Sequence, residues 1–186
     1  MEDESGRGTW IEAAIKELGR SGVAGVRVEV LAAQLGITKG GFYRRFKDRR
    51  DFLHALLETW RRGRIAAVEK QTELAGKRPA ERLKSLIRLY SERLNPEAMA
   101  IELAIRQWAR SDRAAAKAVA RVDTERLRGV EQLYVRMGLN NADAQARAVL
   151  FYAFIFGQAL IYPDQPPGKR ANLAAACADV LTNVNQ

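Results

Sequence analysis

Apolar residues recur at steps of three and four along nearly the whole chain. There is neither a sustained two-residue alternation nor an Asn-Gly or Asp-Gly hairpin turn. The pattern predicts an all-α fold of about nine helices, three short and six longer. The first runs from roughly Thr9, its N-cap, to Gly19 and buries Ile11, Ala14, Ile15 and Leu18. The second covers Val28 to Leu35, with Val28, Leu31, Ala32 and Leu35 on one face and Gly36 as a left-handed C-cap. The third lies in GITKGGFYRRF, Gly36 to Phe46, with Thr38 as N-cap. A long fourth helix starts near Arg50 and carries Phe52, Leu53, Leu56, Leu57 and Trp60. Pro79 opens a fifth with Leu83, Leu86, Ile87, Tyr90 and Leu94, and Asn95-Pro96 signals a sixth with Ile101, Ala104, Ile105 and Trp108. Ser111 or Asp112 caps a seventh that ends at Gly138, and Asn140 or Asn141 starts an eighth that ends before Pro163. A ninth carries Leu173, Cys177, Val180, Leu181 and Val184 in its stripe.

The third helix is locally inconsistent. Each of its two adjacent glycines costs a helix about 1 kcal/mol relative to alanine, yet two aromatics and two arginines follow at once. On a helical wheel Phe42 and Phe46 share one face, which predicts packing on the first two helices. Gly40, Gly41 and Arg44 fall on the opposite face, with Tyr43 and Lys47 on its flank. A bare glycine strip lets the backbone approach another surface. Lys39, Arg44, Arg45 and Lys47 make that surface an anionic one, and the free N–H groups of a helix start favour phosphate. Two helices joined by a glycine-containing turn, the second of them basic, form the helix-turn-helix pattern. Taken by itself, a solvated basic helix holding two glycines by chance explains the stretch equally well.

Charge sharpens this picture. The 186 residues carry a net charge of +9, which favours a polyanionic partner. From Arg20 to Arg50 eight basic residues stand against two acidic ones, so much of the excess sits at this motif. A 47% hydrophobic content supports a folded chain of one large domain or two small ones. The single cysteine excludes an intrachain disulfide, and MEDESGRG at the N-terminus has no apolar signal core. The most apolar run, residues 149–162, is too short to span a bilayer comfortably, so a soluble, cytoplasmic protein with no membrane partner is expected. One histidine and one cysteine cannot build a metal site, and neither a phosphate loop nor a nucleophile elbow occurs. No enzyme activity, metal or cofactor is therefore expected. His54 reads as a surface or packing residue and Cys177 as a small buried hydrophobe.

The segment IEAAIKELGRSGVAGVRVEVLAAQLGITKGGFYRRFKDRRDFL, residues 11–53, resembles the TetR family of bacterial transcriptional regulators. The resemblance is carried by Ala13-Ala14 and Leu18, by Gly22, by Leu31-Ala32 and Gly36-Ile37-Thr38, and by Gly40, Phe42-Tyr43 and Phe46. It implies a helix-turn-helix DNA-binding domain over residues 1–50 and a larger helical effector-binding and dimerisation domain over 51–186. It further implies that Tyr43 gives its hydroxyl to a phosphate and that Thr38 caps the recognition helix and reaches the DNA backbone. Lys39, Gly41 and Arg44 fall where bases or phosphates are contacted, with Arg44 suited to guanine. Arg49 stands where the family often has a phosphate-gripping lysine. Arg27 stands where a Ser or Thr usually caps the second helix, so the cap is lost and a phosphate-holding cation is gained. Gly41, where Ser, Ala or Thr is common, removes one side-chain contact to a base.

In the remaining chain the eighth helix is apolar on more than one face, through Val149, Leu150, Phe151, Phe154, Ile155, Phe156, Leu160 and Ile161. Either it is central in a monomer or a twofold partner covers it. The dimer reading, which is the family's habit, uses Ala146, Leu150, Ala153 and Gly157 with Leu173, Cys177 and Leu181 of the ninth helix. Trp60, Tyr90, Ile105, Trp108, Tyr134, Phe151 and Phe154 are candidates to line an effector cavity, or else are ordinary core. Arg106 marks an anionic group of that effector or is simply exposed. The resulting expectation is a homodimeric repressor of a palindromic operator in double-stranded DNA, released by a small apolar or aromatic effector. The alternative is a helical adaptor whose basic face meets an acidic protein.

Overall fold

The computed structural model describes residues 2–73, 78–92, 96–161 and 166–184. Among these residues there are nine helices and no strand. They are α1 (Glu2–Gly25), α2 (Val28–Leu35), α3 (Lys39–Tyr43), α4 (Arg49–Glu73), α5 (Pro79–Glu92), α6 (Pro96–Ala109), α7 (Arg113–Arg136), α8 (Asn141–Ile161) and α9 (Pro167–Thr182). Leu94, Asn95 and Pro163, named above, lie outside the described residues. No described helix is long and apolar enough to cross a membrane.

The helices form two packing units, Met1–Arg64 with Asn95–Val122 and Ile65–Leu94 with Asp123–Gln186. Packing thus joins α6 and the start of α7 to the N-terminal helices, whereas the expected division at residue 50 follows the sequence motif alone.

In the first unit α1 packs along α6 and buries Trp10, Ile11, Ala14 and Leu18. It is longer than the periodicity suggests: Thr9 lies inside it, and the break comes at Gly22 (φ 69°, ψ −177°) rather than at Gly19. Gly19 instead marks close helix packing, since a Cβ there would lie 2.9 Å from Cγ1 of Ile101 on α6. Helix α2 starts at Arg27 without a side-chain cap and ends at Gly36, whose φ of 67° needs the left-handed region that glycine enters freely. Asp48 caps α4 by accepting from the Asp51 amide at 2.8 Å, while the Asp51 carboxylate accepts from the Lys47 amide at 3.2 Å. Asp112 caps α7 through the Ala115 amide at 2.9 Å.

In the second unit α5 packs on α9 and α8. The core joins Leu83 and Ile87 of α5, Val130, Leu133 and Tyr134 of α7, Ala144, Ala148, Phe151 and Ile155 of α8, and Ala174 and Ala178 of α9. Asn140 caps α8 through the Asp143 amide at 3.0 Å. Ala174 and Ala178 are buried on the inward face of α9, while of the expected stripe Leu181 and Val184 pack against the core and Leu173, Cys177 and Val180 do not lead it. Leu173 is exposed, Val180 is 74% exposed and Cys177 is half-buried.

Candidate nucleic-acid interface

The five residues of α3 cannot hold a helix together through their own hydrogen bonds; short helices are marginal without tertiary packing. Here the packing is aromatic. Phe42 is wholly buried, with ring centroids 5.3 Å from Trp10, 5.1 Å from Phe46 and 5.2 Å from Phe52, and Phe46 lies 4.7 Å from Phe52. All but the tilted Phe42–Phe46 pair meet edge-on, and such pairs contribute about 0.5–1.5 kcal/mol each beyond area burial. The guanidinium of Arg7 closes the hub, 4.4 Å above the Phe46 ring. Helices α1 and α4 thereby fix one face of α3, and the buried pair Phe42 and Phe46 is the one that the four-residue spacing indicated.

The opposite side presents Thr38, Lys39, Gly40, Tyr43 and Arg44 to solvent, with Lys47 after them. Tyr43 is 63% exposed, its ring held edge-on against Phe42 at 5.2 Å. Arg27 and Arg49 are exposed as well. Thr38 occupies the N-cap position, but its side chain makes no capping bond.

Two residues depart from the expected outward surface, Gly41 from its place on the wheel and Arg45 from its place among the cations. Gly41 is buried, and Arg45 is half-buried with its Nη1 donating to the Gly41 carbonyl at 2.9 Å. The wheel assumed a helix continuing to Lys47; α3 ends at Tyr43, and the turn that follows carries Arg45 back over the chain. The bare outward strip is therefore Gly40 alone. Two other cations have intramolecular partners that the sequence pattern did not indicate. Lys39 pairs with Glu29 of α2 at 3.1 Å in full solvent. A hydrogen bond from its own backbone, and then Lys39, hold the Glu29 carboxyl below its ordinary range. Arg49 donates to the carbonyls of Val23 at 3.0 Å and Val26 at 3.4 Å, tying the α1–α2 connection to the start of α4. Two of its five N–H donors are so engaged.

The remaining candidates divide between the units. Trp60, Ile105 and Trp108 are buried in the first; Tyr134 and Phe151 are buried in the second, where Tyr90 and Phe154 pack partly buried against the core. The Tyr134 hydroxyl donates to the Leu181 carbonyl at 3.0 Å. Arg106 is not a lone cation: it pairs at 2.9 Å with Glu102, itself buried, which Arg64 approaches at 3.9 Å. His54 is exposed and lines a surface cavity of about 410 Å³ with Leu57, Glu58, Arg61, Ala114, Lys117 and Ala118. The hydrogen bond from Arg61 holds Glu58 down to about 2. On α8, Ala146, Leu150 and Ala153 are exposed and Gly157 is half-buried; on α9 Leu181 is half-buried.

Residues 11–56 match the sequence model described as bacterial regulatory proteins, tetR family. Over this segment the chain is similar to the N-terminal domain of the tetR family. No curated protein matches the chain in sequence. Solved structures match its fold from end to end. A TetR-family transcriptional regulator from Agrobacterium tumefaciens gives a TM-score of 0.79 at 13% identity, covering 96% of this chain and 98% of that one. A transcriptional regulator from Rhodococcus sp. Rha1 gives 0.73 at 17% identity, covering 95% and 93%. The regulator FadR from Bacillus subtilis, solved with stearoyl-CoA, gives 0.70 at 17% identity, covering 96% and 98%. At these identities the likeness establishes the TetR-like fold, with the helix-turn-helix at its N-terminus.

Proposed function

We propose that this protein is a cytoplasmic, ligand-responsive repressor of the TetR family that binds a palindromic operator as a homodimer. Residues 1–50 read DNA, and residues 51–186 sense the effector and join the subunits. The observation that carries the reading is the exposed row of Thr38, Lys39, Tyr43, Arg44 and Lys47 on a short helix pinned from behind by Trp10, Phe42, Phe46 and Phe52. Such a helix offers cations and a phenol in a fixed array. Lys39 exchanges a solvated pair with Glu29 for phosphate, Tyr43 and Arg49 position the backbone, and Arg44 reads a base edge. A dimer sets two such helices about one DNA turn, ~34 Å, apart. Exposed Leu150 and Ala153 on α8 and Leu173 on α9 support that dimer.

An effector acts by favouring one subunit arrangement over another, to the extent of its differential affinity. The stearoyl-CoA complex of the B. subtilis regulator supports an effector with an apolar body. Within this chain, Trp60 is 4% exposed and its indole N–H has no hydrogen-bond partner among the described residues, a donor that an effector oxygen would satisfy.

The test is selection of a preferred site from a randomised duplex library, followed by gel shift at several salt concentrations. A palindrome is expected, with affinity falling steeply as salt rises. Tyr43→Phe is expected to weaken binding to every sequence, by about 1–2 kcal/mol, whereas Arg44→Ala changes the preferred base at one position of each half-site. Absence of any bound duplex at low salt defeats the reading, and an unaltered base preference in Arg44→Ala removes Arg44 from base recognition.

A further inference from the structure

Arg45 sits in the basic stretch that the sequence pattern turns toward DNA, yet its side chain is folded back. Its Nη1 closes on the Gly41 carbonyl at 2.9 Å, satisfying an acceptor of the short recognition helix. The rest of the guanidinium lies against the start of α1, over Gly6. A Cβ on Gly6 would stand 2.5 Å from Nη2 and 2.7 Å from Cζ of Arg45. The next residue, Arg7, holds the backbone at the same place. It donates from Nη1 to the Arg45 carbonyl at 2.6 Å, covers the Phe46 ring and reaches Asp51 at 3.7 Å. Main chain and side chain of Arg45 are therefore held by two adjacent residues of α1 with separate tasks: Arg7 fixes where residue 45 is, and Gly6 leaves room for its arm to lie inward.

We propose that Gly6 is a specificity-determining position, the cradle that keeps the charge of Arg45 off the DNA; this rests on the DNA-binding reading above. A recognition helix that already presents Lys39, Arg44 and Lys47 gains non-specific affinity with each further cation, because phosphate contacts carry no sequence information. Withholding Arg45 keeps the ratio of specific to non-specific binding high. The crowding that a side chain at position 6 creates falls on the far end of a flexible arm and not on backbone. A methyl group there displaces the guanidinium into solvent beside Arg44 while Arg7 keeps the main chain in place.

The experiment compares unmodified protein, Gly6→Ala, Arg45→Gln and the double variant. Each is titrated across salt against a random-sequence duplex and against the palindrome that the unmodified protein selects. In Gly6→Ala the random duplex is expected to bind several-fold tighter, with the log–log salt slope steeper by about 0.9 for each arginine released, and with a smaller preference for the palindrome. In the Arg45→Gln background the same substitution is expected to change neither quantity. Arg45→Gln alone is expected to leave the slope as it is in the unmodified protein. An unchanged slope in Gly6→Ala, or equal steepening in both backgrounds, overturns the proposal. So does a slope that Arg45→Gln flattens by a full contact, a result that decides the matter even where Gly6→Ala fails to fold. Unmodified protein that binds neither duplex overturns the DNA-binding reading itself, a distinguishable failure.

Discussion

The helix-turn-helix segment and the α8–α9 pair sort their side chains in opposite ways. Around α3 the bulk is inside, in Trp10, Phe42, Phe46 and Phe52, and the exterior is cationic. Along α8 and α9 much of the interior is small, with Ala144, Ala148, Ala174 and Ala178 facing the core. Larger apolar groups lie outside: Leu150 is 58% and Ile161 68% exposed, beside Val149, Leu173 and Val180. A charged exterior on an aromatic hub suits a polyanion, since the hub holds the charges at fixed spacing without needing the partner for stability. An apolar exterior on an alanine interior leaves area in water that association recovers at about 25 cal/mol per Å². One exterior needs no partner to be stable in water, and the other is the face that the proposed dimer would cover.

Breaking the hub has the largest expected effect. Phe42→Ala empties the centre of four ring contacts and is expected to cost about 3–5 kcal/mol of unfolding free energy, read from urea denaturation, with loss of DNA binding at temperatures where the variant stays folded. A cost below about 1 kcal/mol would mean that α3 is held by something other than its rings.

The outer face of α8 gives the contrasting test. Leu150→Glu touches no core residue, so its cost to monomer stability is expected to stay within about 0.5 kcal/mol. It is nevertheless expected to weaken subunit association by about 2 kcal/mol or more, as a charge set in an apolar contact, seen as dissociation in sedimentation velocity at micromolar protein. A variant that sediments like the parent removes Leu150 from any subunit contact.

All nine described helices were legible from apolar periodicity with cap, glycine and proline signals, because a stripe every three or four residues is needed to bury a helix face in water. The legible part of the candidate interface was the buried pair Phe42 and Phe46 and the exposure of Tyr43 and Arg44. What escaped depended on contacts between residues distant in sequence. Gly19 looked like a helix end, and only its closeness to Ile101 shows that the missing Cβ serves packing. Arg45 looked outward because its charge grouped it with Lys39, Arg44 and Lys47, and nothing local announces Gly6 as its seat. Glu29, ten residues from Lys39, takes up a cation that composition assigned wholly to DNA. On α9 alanine was a weaker signal than leucine or valine, although close packing against α5 selects the smaller residue.

The smallest effect tests the interior of the second unit, where one phenol is buried in an otherwise apolar core. Tyr134 is fully buried, and its hydroxyl gives its only described hydrogen bond to the Leu181 carbonyl near the end of α9. Tyr134→Phe keeps the ring and removes the donor, so the expected cost at neutral pH is about 1 kcal/mol, well below that of Phe42→Ala. Burial raises the phenol from 10.0 to about 12, with the Arg147 charge pulling weakly the other way. The sign follows from where the proton sits. Between pH 10 and 12 the unfolded chain releases it while the folded chain holds it, so the parent is destabilised as pH rises through that window and unaffected by this group below it. The variant's phenyl ring has no proton to lose. A shift of that size outweighs about 1 kcal/mol, so the stability gap between parent and Tyr134→Phe, taken from urea midpoints, is expected to be constant below pH 10 and to close and then change sign between pH 10 and 12. A gap that stays constant would mean that water reaches the phenol, and that the interior behind α8 and α9 is looser than its alanine packing implies.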